Sequence, residues 1–274
     1  MSTRTRPSCL RQGAGLAILT GMAILIFEHD DLDSSQRLGE TLSEHGHKLD
    51  VRLLHKGDEL PPDLDNVDGV ISMGGPQDTD QTDQHAWMAG EMAMIKEAHE
   101  RGIPVLGVCL GSQLIAAALG GEVSRMQTPE LGMAETTLSF FGSTDPILTG
   151  LPWNHMMMHA HGCEVTTPPP GGTPAPLVSS KGCKVQAFKV GMTTYGFQYH
   201  FEWTKQRCLD IIDHNGKWIE ATGTTADELK QGVEDNYDLY RHLGDRLCKL
   251  IADRLFPLDK RLPPTREEVA NFRR

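Results

Sequence analysis

Two short segments of this sequence carry side chains suited to covalent chemistry. In Gly107-Val108-Cys109-Leu110-Gly111-Ser112-Gln113, an apolar run enters a Gly-x-Cys-x-Gly turn and leaves as a helix. That is the pattern of a nucleophile elbow, in which a sharp strand-to-helix turn exposes the attacking group. Glycines are needed on either side because strand and helix backbones crowd together there. The thiol then projects at the carboxyl edge of the sheet, where open α/β folds bind ligands. A helix N-terminus also favours the thiolate. A cysteine alone in such a turn is equally well a small buried core residue, so the reading needs partners elsewhere in the chain.

The second segment supplies them. Thr194-Tyr195-Gly196-Phe197-Gln198 reads as a strand, and Tyr199-His200-Phe201-Glu202 follows it. If the strand continues to residue 201, His200 and Glu202 fall on one side of it, two residues apart. An imidazole beside Cys109 is a base, and a carboxylate beside the imidazole fixes its tautomer. Acyl chemistry further needs donors for an oxyanion. The turn Gly74-Gly75-Pro76 ends another strand, and its amides, with that of Leu110, are candidates.

The elements that must position these groups alternate. Strands are expected at 23–28, 51–54, 69–73 and 105–108, and helices at 33–46, 84–101 and 110–119, with Asp33 as the first helix's cap. Gly102 and Pro104 stop the second helix, and Gly120-Gly121 the third. The expected fold class is α/β: a doubly wound, mostly parallel sheet with helices on both faces. Beyond it, strand-like pieces near 134–141, 163–167, 184–190 and 194–201 read as hairpins completing or flanking the sheet. From Thr204 the chain reads helical almost to its end, including a capping-box pattern, Thr265-Arg266-Glu267-Glu268. The expected organisation is a catalytic domain over 22–203 with a helical extension over 204–274.

Composition fits a globular chain of 274 residues with 39% hydrophobic residues. The formal net charge of −11 argues against a nucleic-acid partner, and no apolar run is long enough to span a membrane. The six cysteines form no C-x-x-C pair and read as reduced thiols. Residues 1–21 hold Arg4, Arg6 and Arg11, no acidic residue and the start of an apolar run reaching Phe27. Signal or transit peptides look similar. Cleavage after that run would destroy the first strand, however, so the expectation is a disordered leader or an early start before Met22, and a cytoplasmic protein, with organelle targeting left open.

These motifs, in this order, resemble the class I (triad) glutamine amidotransferases, and most closely the free-standing GMP-synthase-like ones. Gly107–Gln113 matches the family's nucleophile motif, and Phe197–Glu202 its His-x-Glu segment. Leu119-Gly120-Gly121-Glu122-Val123, Glu130-Leu131-Gly132 and Val185-Gln186-Ala187-Phe188 match further landmarks. The resemblance covers about residues 22–202 and implies the flavodoxin-like fold of that family. It implies that Cys109 attacks the side-chain amide of glutamine, that His200 serves as base and then acid, and that Glu202 orients it. Gly75 and Leu110 would donate to the oxyanion, and Gly74 and Gln113 would contact the substrate. No cofactor is implied. Ammonia would pass to a separate synthetase, since the chain shows no phosphate-binding loop of its own.

Two positions depart from the family. Phe201 stands where it usually has proline, and Cys163 where a Ser-His-Gly-Asp stretch has aspartate. The same region holds His155, His159, His161 and Cys163 around Met156–Met158. Histidine with methionine suggests copper, but H-x3-H-x-H-x-C matches no strong ligand template. The expectation is therefore no metal and a strand edge near the site. An alternative reading is a free-standing hydrolase or transferase of γ-glutamyl peptides or conjugates. A DJ-1/PfpI-like enzyme would carry a histidine directly after the cysteine, where this chain has Leu110. A non-catalytic binding protein would have lost a triad member.

Overall fold

A computed structural model describes residues 22–258. The expected leader, Cys9 and the capping-box pattern at 265–268 lie outside the described residues.

Chain order explains the sheet. Strand β1 (Ala23–Glu28) lies between β2 (Leu49–Leu53) and β3 (Val67–Ser72), and β4 (Val105–Val108) follows β3. The neighbour of β4 on the other side is β9 (Thr194–Phe197), and all these pairings are parallel. From β9 outward the pairings turn antiparallel, through β8 (Ala187–Val190) and β7 (Val178–Ser180) to the hairpin of β5 (Glu122–Leu138) and β6 (Asn154–Thr167). The nine strands form one mixed sheet in the order β2-β1-β3-β4-β9-β8-β7-β5-β6.

Alternate residues of β1 feed two apolar cores. Ile24 and Ile26 pack with Leu38 and Leu42 of α1 (Gln36–Glu44) and with Leu243 and Leu247 of α7 (Ala226–Leu250). Leu25 and Phe27 face the other way, onto Met88 and Ile95 of α2 (Ala86–Glu100) and Leu114 of α3 (Leu110–Ala118). A strand buried on both faces is the signature of helices covering both sides of a parallel sheet. The expected doubly wound class is the observed one, with the antiparallel hairpin as its far edge. None of the described helices is long and apolar enough to cross a membrane.

Several expectations are corrected in detail. Asp33 does not cap α1: the helix begins after Ser35, and the Asp33 carboxylate instead takes Arg207 at 2.9 Å. The pieces expected at 134–141 and 163–167 are ends of the much longer β5 and β6, and α4 (Phe140–Thr144) takes up residues 140 and 141. Pro129 and the Met/His-rich run hide the alternation that would have revealed the whole hairpin. The strand expected through residue 201 stops at Phe197. From Thr204 to the last described residues the chain is largely helical, in α5 (Lys205–His214), α6 (Gly216–Thr222) and α7, which ends in a π-helical turn at Ile251–Leu255, and the rest of the expected extension lies outside the described residues.

Candidate active site

Cys109 occupies the turn between β4 and α3 with φ 52° and ψ −108°. A non-glycine residue there is strained, and such strain persists only where the surroundings enforce it. Here they do. The Cys109 N–H donates to the Phe197 carbonyl at 2.7 Å, and its carbonyl accepts the Ser112 hydroxyl at 2.7 Å. The flanking glycines are obligatory for the same close approach. A Cβ on Gly107 would lie 2.5 Å from the Gly111 backbone, and one on Gly111 would lie 2.0 Å from the Ser72 carbonyl oxygen. Gly111→Ala should therefore leave little soluble protein at 37 °C, which an expression and thermal-melt comparison with Ala116→Gly checks. The latter sits in the same helix and costs about 2 kcal/mol, from helix propensity and one buried methyl group.

His200 lies past the end of β9, in an isolated bridge to Met158 whose backbone bond is 2.9 Å long. Its Nδ1 meets Glu202 Oε1 at 2.7 Å, and both side chains are fully buried. The two residues thus meet without a continuing strand. The second carboxylate oxygen of Glu202 accepts the Phe201 N–H at 2.9 Å. Proline could not make that bond, so the departure at 201 adds a donor to the carboxylate. Burial works against a charged imidazole, but Glu202 and Cys109 outweigh it and hold His200 well above the usual histidine range. Trp203 stacks on His200 with ring centres 3.6 Å apart, and Arg207 lies over the indole ring at 4.5 Å.

The C-terminal helices hold this loop. The Trp203 N–H donates to the Tyr240 hydroxyl of α7 at 3.2 Å. Arg37 of α1 donates to the Phe201 carbonyl and pairs with Asp245 of α7. Gly244 lets α7 approach so closely that a Cβ there would meet the Phe201 carbonyl at 2.3 Å.

Gly74 and Gly75 close the arrangement. A Cβ on Gly74 would lie 3.1 Å from the His200 ring, and one on Gly75 3.1 Å from the Leu110 side chain. The Leu110 N–H opens α3, where the first turn has no intrahelical acceptors. Gln113 projects into the same region, but its amide is engaged: Nε2 donates to the Cys163 carbonyl and to Gln198 Oε1, both at 3.1 Å. Gln198 in turn reaches the Cys109 sulfur at 3.7 Å. The sequence does not single out Gln198 or Trp203, because neither type marks chemistry without its neighbours in space.

Above Cys109 lies a cavity of about 700 Å³. Its floor includes Cys109, Leu110, Gly75 and Gln113, and its far wall is Ile211 and His214 of α5 and Trp218 of α6. Asp30, Asp33, Asp78, Arg125 and Arg207 give it charges of both signs.

The His/Cys run on β6 disperses. His155 turns to the Pro152 carbonyl at 3.0 Å. Cys163 donates its S–H to Asp78 at 3.1 Å, and burial together with that carboxylate pushes its thiol up to about 12. His159 and His161 instead converge on Glu130, at 3.3 and 2.9 Å. Donor atoms of these three lie within 4.8 Å of one another, close enough for a metal ion. However, the Gln186 amide already donates to Glu130 at 2.6 Å and lies 3.2 Å from His159. The two histidines hold the Glu130 carboxyl well below the usual carboxylate range against the opposing effect of burial. The cluster is thus a hydrogen-bond network that ties β5, β6 and the β7–β8 turn together, with His159 Nε2 and Gln186 Oε1 buried in it without a hydrogen-bond partner among the described residues. Among the described residues, Cys109, Cys163, Cys183, Cys208 and Cys248 are all free thiols.

Comparison with known proteins matches this architecture. The family model for glutamine amidotransferase class-I aligns with residues 31–208. The chain is 29% identical to the glutamine amidotransferase-like protein YfeJ of Salmonella typhimurium, over 85% of this chain and 97% of that protein. It is 36% identical to a glutamine-hydrolysing GMP synthase subunit of Saccharolobus solfataricus, over 57% of this chain and 77% of that one. It is 27% identical to gamma-glutamyl peptidase 3 of Arabidopsis thaliana, over 76% and 84% of the two chains. The fold superposes on the crystal structure of a glutamine amidotransferase from Thermotoga maritima with a TM-score of 0.72 at 22% identity, covering 85% of this chain and 98% of that one. The chain belongs to the class-I glutamine amidotransferase family.

Proposed function

We propose that this protein hydrolyses a γ-glutamyl amide through a Cys109–His200–Glu202 triad. The observation that carries the reading is the strained Cys109 elbow on the floor of the cavity, beside a histidine buried against Glu202. In this mechanism Cys109 Sγ bonds to the amide carbon while its proton rests on His200. The C–N bond then breaks, and His200 passes the proton to the departing nitrogen. Water attacks the γ-glutamyl thioester, His200 takes its proton, and glutamate leaves as the thiol is restored. The Gly75 and Leu110 amides receive the oxyanion in both halves. Gln113 lines the pocket and Gly74 adjoins it through Gly75, so both are placed to contact the substrate, and no cofactor enters.

Free glutamine is the first substrate to test, with ammonia passing to a separate synthetase, as the name of the GMP synthase relative suggests for that protein. The cavity favours a second reading. Its volume lies in the range of drug-sized ligands, about 300–1,000 Å³, and α5 and α6 of the same chain wall it. That leaves room for a leaving group larger than ammonia, as in a γ-glutamyl peptide or conjugate. Glutamate release should be measured from L-glutamine and from a γ-glutamyl dipeptide, with Cys109→Ala as blank. Release from either above the blank supports amide hydrolysis, and the ratio of kcat/KM values assigns the leaving group. Release from neither would overturn the reading.

A further inference from the structure

Outside the triad, a buried polar chain runs behind the Gly74-Gly75 turn. His29 follows β1, Ser72 ends β3 and Glu91 lies on α2, and all three are buried. Glu91 accepts the Ser72 hydroxyl on Oε1 at 2.6 Å and meets His29 Nε2 on Oε2 at 2.8 Å. His29 Nδ1 faces two carbonyls, those of Met73 and Gly74, each at 3.1 Å. Every partner of the ring is an acceptor, so both nitrogens carry protons. Burial opposes that charge, but Glu91 and the two carbonyls outweigh it and raise His29 above its ordinary range. Trp87 stacks on the ring with centres 4.8 Å apart and keeps it in plane.

The consequence lies in peptide geometry. The Gly74 carbonyl and the Gly75 N–H belong to one planar trans unit and point in opposite directions. A donor clamped on the Gly74 oxygen therefore turns the Gly75 N–H away from His29, and Gly75 borders the cavity together with Leu110. The Met73 carbonyl, which shares the His29 proton, also accepts the Gly111 N–H at 3.1 Å. The same histidine thus ties the Gly75 peptide to the first turn of α3, which carries the Leu110 N–H. A glycine pair has little intrinsic preference for one peptide orientation, so some restraint of this kind is required.

Resting on the triad reading above, we propose that His29, held by Glu91 and Ser72, is a positioning residue that sets the oxyanion-binding orientation of the Gly74–Gly75 peptide. A positive ring hydrogen-bonded to that peptide's oxygen also strengthens its N–H as a donor.

Two reagents separate this role from a merely structural one. 4-Nitrophenyl acetate acylates a thiolate through a tetrahedral oxyanion: the S–C bond forms, then the C–O bond breaks and nitrophenolate leaves. Iodoacetamide alkylates the same sulfur by direct displacement of iodide, with no oxyanion. In His29→Leu/Glu91→Leu, the Cys109-dependent nitrophenolate burst should slow about 100-fold, in line with loss of one oxyanion donor, while alkylation stays within about threefold of wild type. In His29→Asn/Glu91→Gln an amide donor near the Nδ1 position remains without the charge, and the burst should recover to within about tenfold. Equal slowing of both reactions in both double variants would overturn the proposal, as would an unchanged burst. A wild-type protein that alkylates at Cys109 without any burst would overturn it together with the triad reading. A normal burst without glutamate release from any γ-glutamyl amide would fault the substrate assignment alone.

Discussion

Cys109→Ala is expected to lower γ-glutamyl amide hydrolysis by about 10⁴-fold or more, the scale on which loss of a triad nucleophile acts. The fold should survive it. The side chain is small, its backbone bonds to Phe197 and Ser112 do not involve the sulfur, the sulfur's contacts with Gln198 and the Ala160 carbonyl are long, at 3.7 and 3.8 Å, and Glu202 still holds His200 when the thiol is gone. A cost of about 1 kcal/mol corresponds to about 2–4 °C in a domain of this size. Cys109→Gly sharpens the test. Glycine accepts φ 52° without strain, relieving a residue whose conformation costs of order 1–3 kcal/mol, against about 0.5–1 kcal/mol of added chain entropy. It should melt at or above Cys109→Ala while remaining equally inactive. Such a pair would show that the strain at 109 is kept for chemistry rather than for stability. Measurable turnover by either variant above about 1% of wild type would remove Cys109 from the nucleophile's role. Differential scanning calorimetry beside a coupled glutamate assay reads both quantities on the same preparation.

How far the site can be read from the sequence depends on whether a group's partner is near in the chain. The elbow is legible because crowding between β4 and α3 demands glycine at 107 and 111, and two glycines around a cysteine are visible at once. His200 and Glu202 are legible as a pair because they are two residues apart, although the strand that would align them stops at Phe197. The His29–Glu91 pair, 62 positions apart, leaves no local pattern. Nor does Asp33, which suits a helix cap by type yet pairs with Arg207, 174 positions away. Ser35 holds the N-cap position with no side-chain cap bond, so helix α1 shows that its entry tolerates an unfilled cap. The His155–Cys163 run illustrates the opposite error. Four ligand-type residues at even spacing fall on one face of β6, and their true partners, Glu130, Asp78 and the Pro152 carbonyl, lie elsewhere. A shared strand face is not enough to bring them to one point, because the strand spreads them along its length and each meets a different neighbouring segment. The cavity wall from α5 and α6 is invisible for a further reason: amphipathic spacing says that a helix buries a face, not what that face covers.

Glu202→Gln carries the second large effect, and its pH dependence identifies the cause. The variant keeps the volume and an acceptor but removes the negative charge from His200 Nδ1, 2.7 Å away in a buried site. Loss of the orienting carboxylate in a triad lowers turnover by about 10⁴-fold, and breaking a buried ion pair costs about 3–5 kcal/mol. His200 is raised from 6.5 to about 10 in the folded protein, where Glu202 and Cys109 outweigh the opposing burial. A proton held more tightly by the folded than by the unfolded chain stabilises the fold. That contribution is complete below about pH 6.5 and fades as pH rises through the folded value near 10. The stability gap between wild type and Glu202→Gln should therefore be widest at about pH 6 and narrow steadily toward about pH 10. Because His29 is intact in both proteins, its own titration cancels in the difference. Urea denaturation at about pH 6, 8 and 9.5 measures the gap through the midpoint at constant slope. A gap that is constant across that range, or that widens with pH, would mean that Glu202 supports the loop through its bond to the Phe201 N–H rather than through the charge on His200.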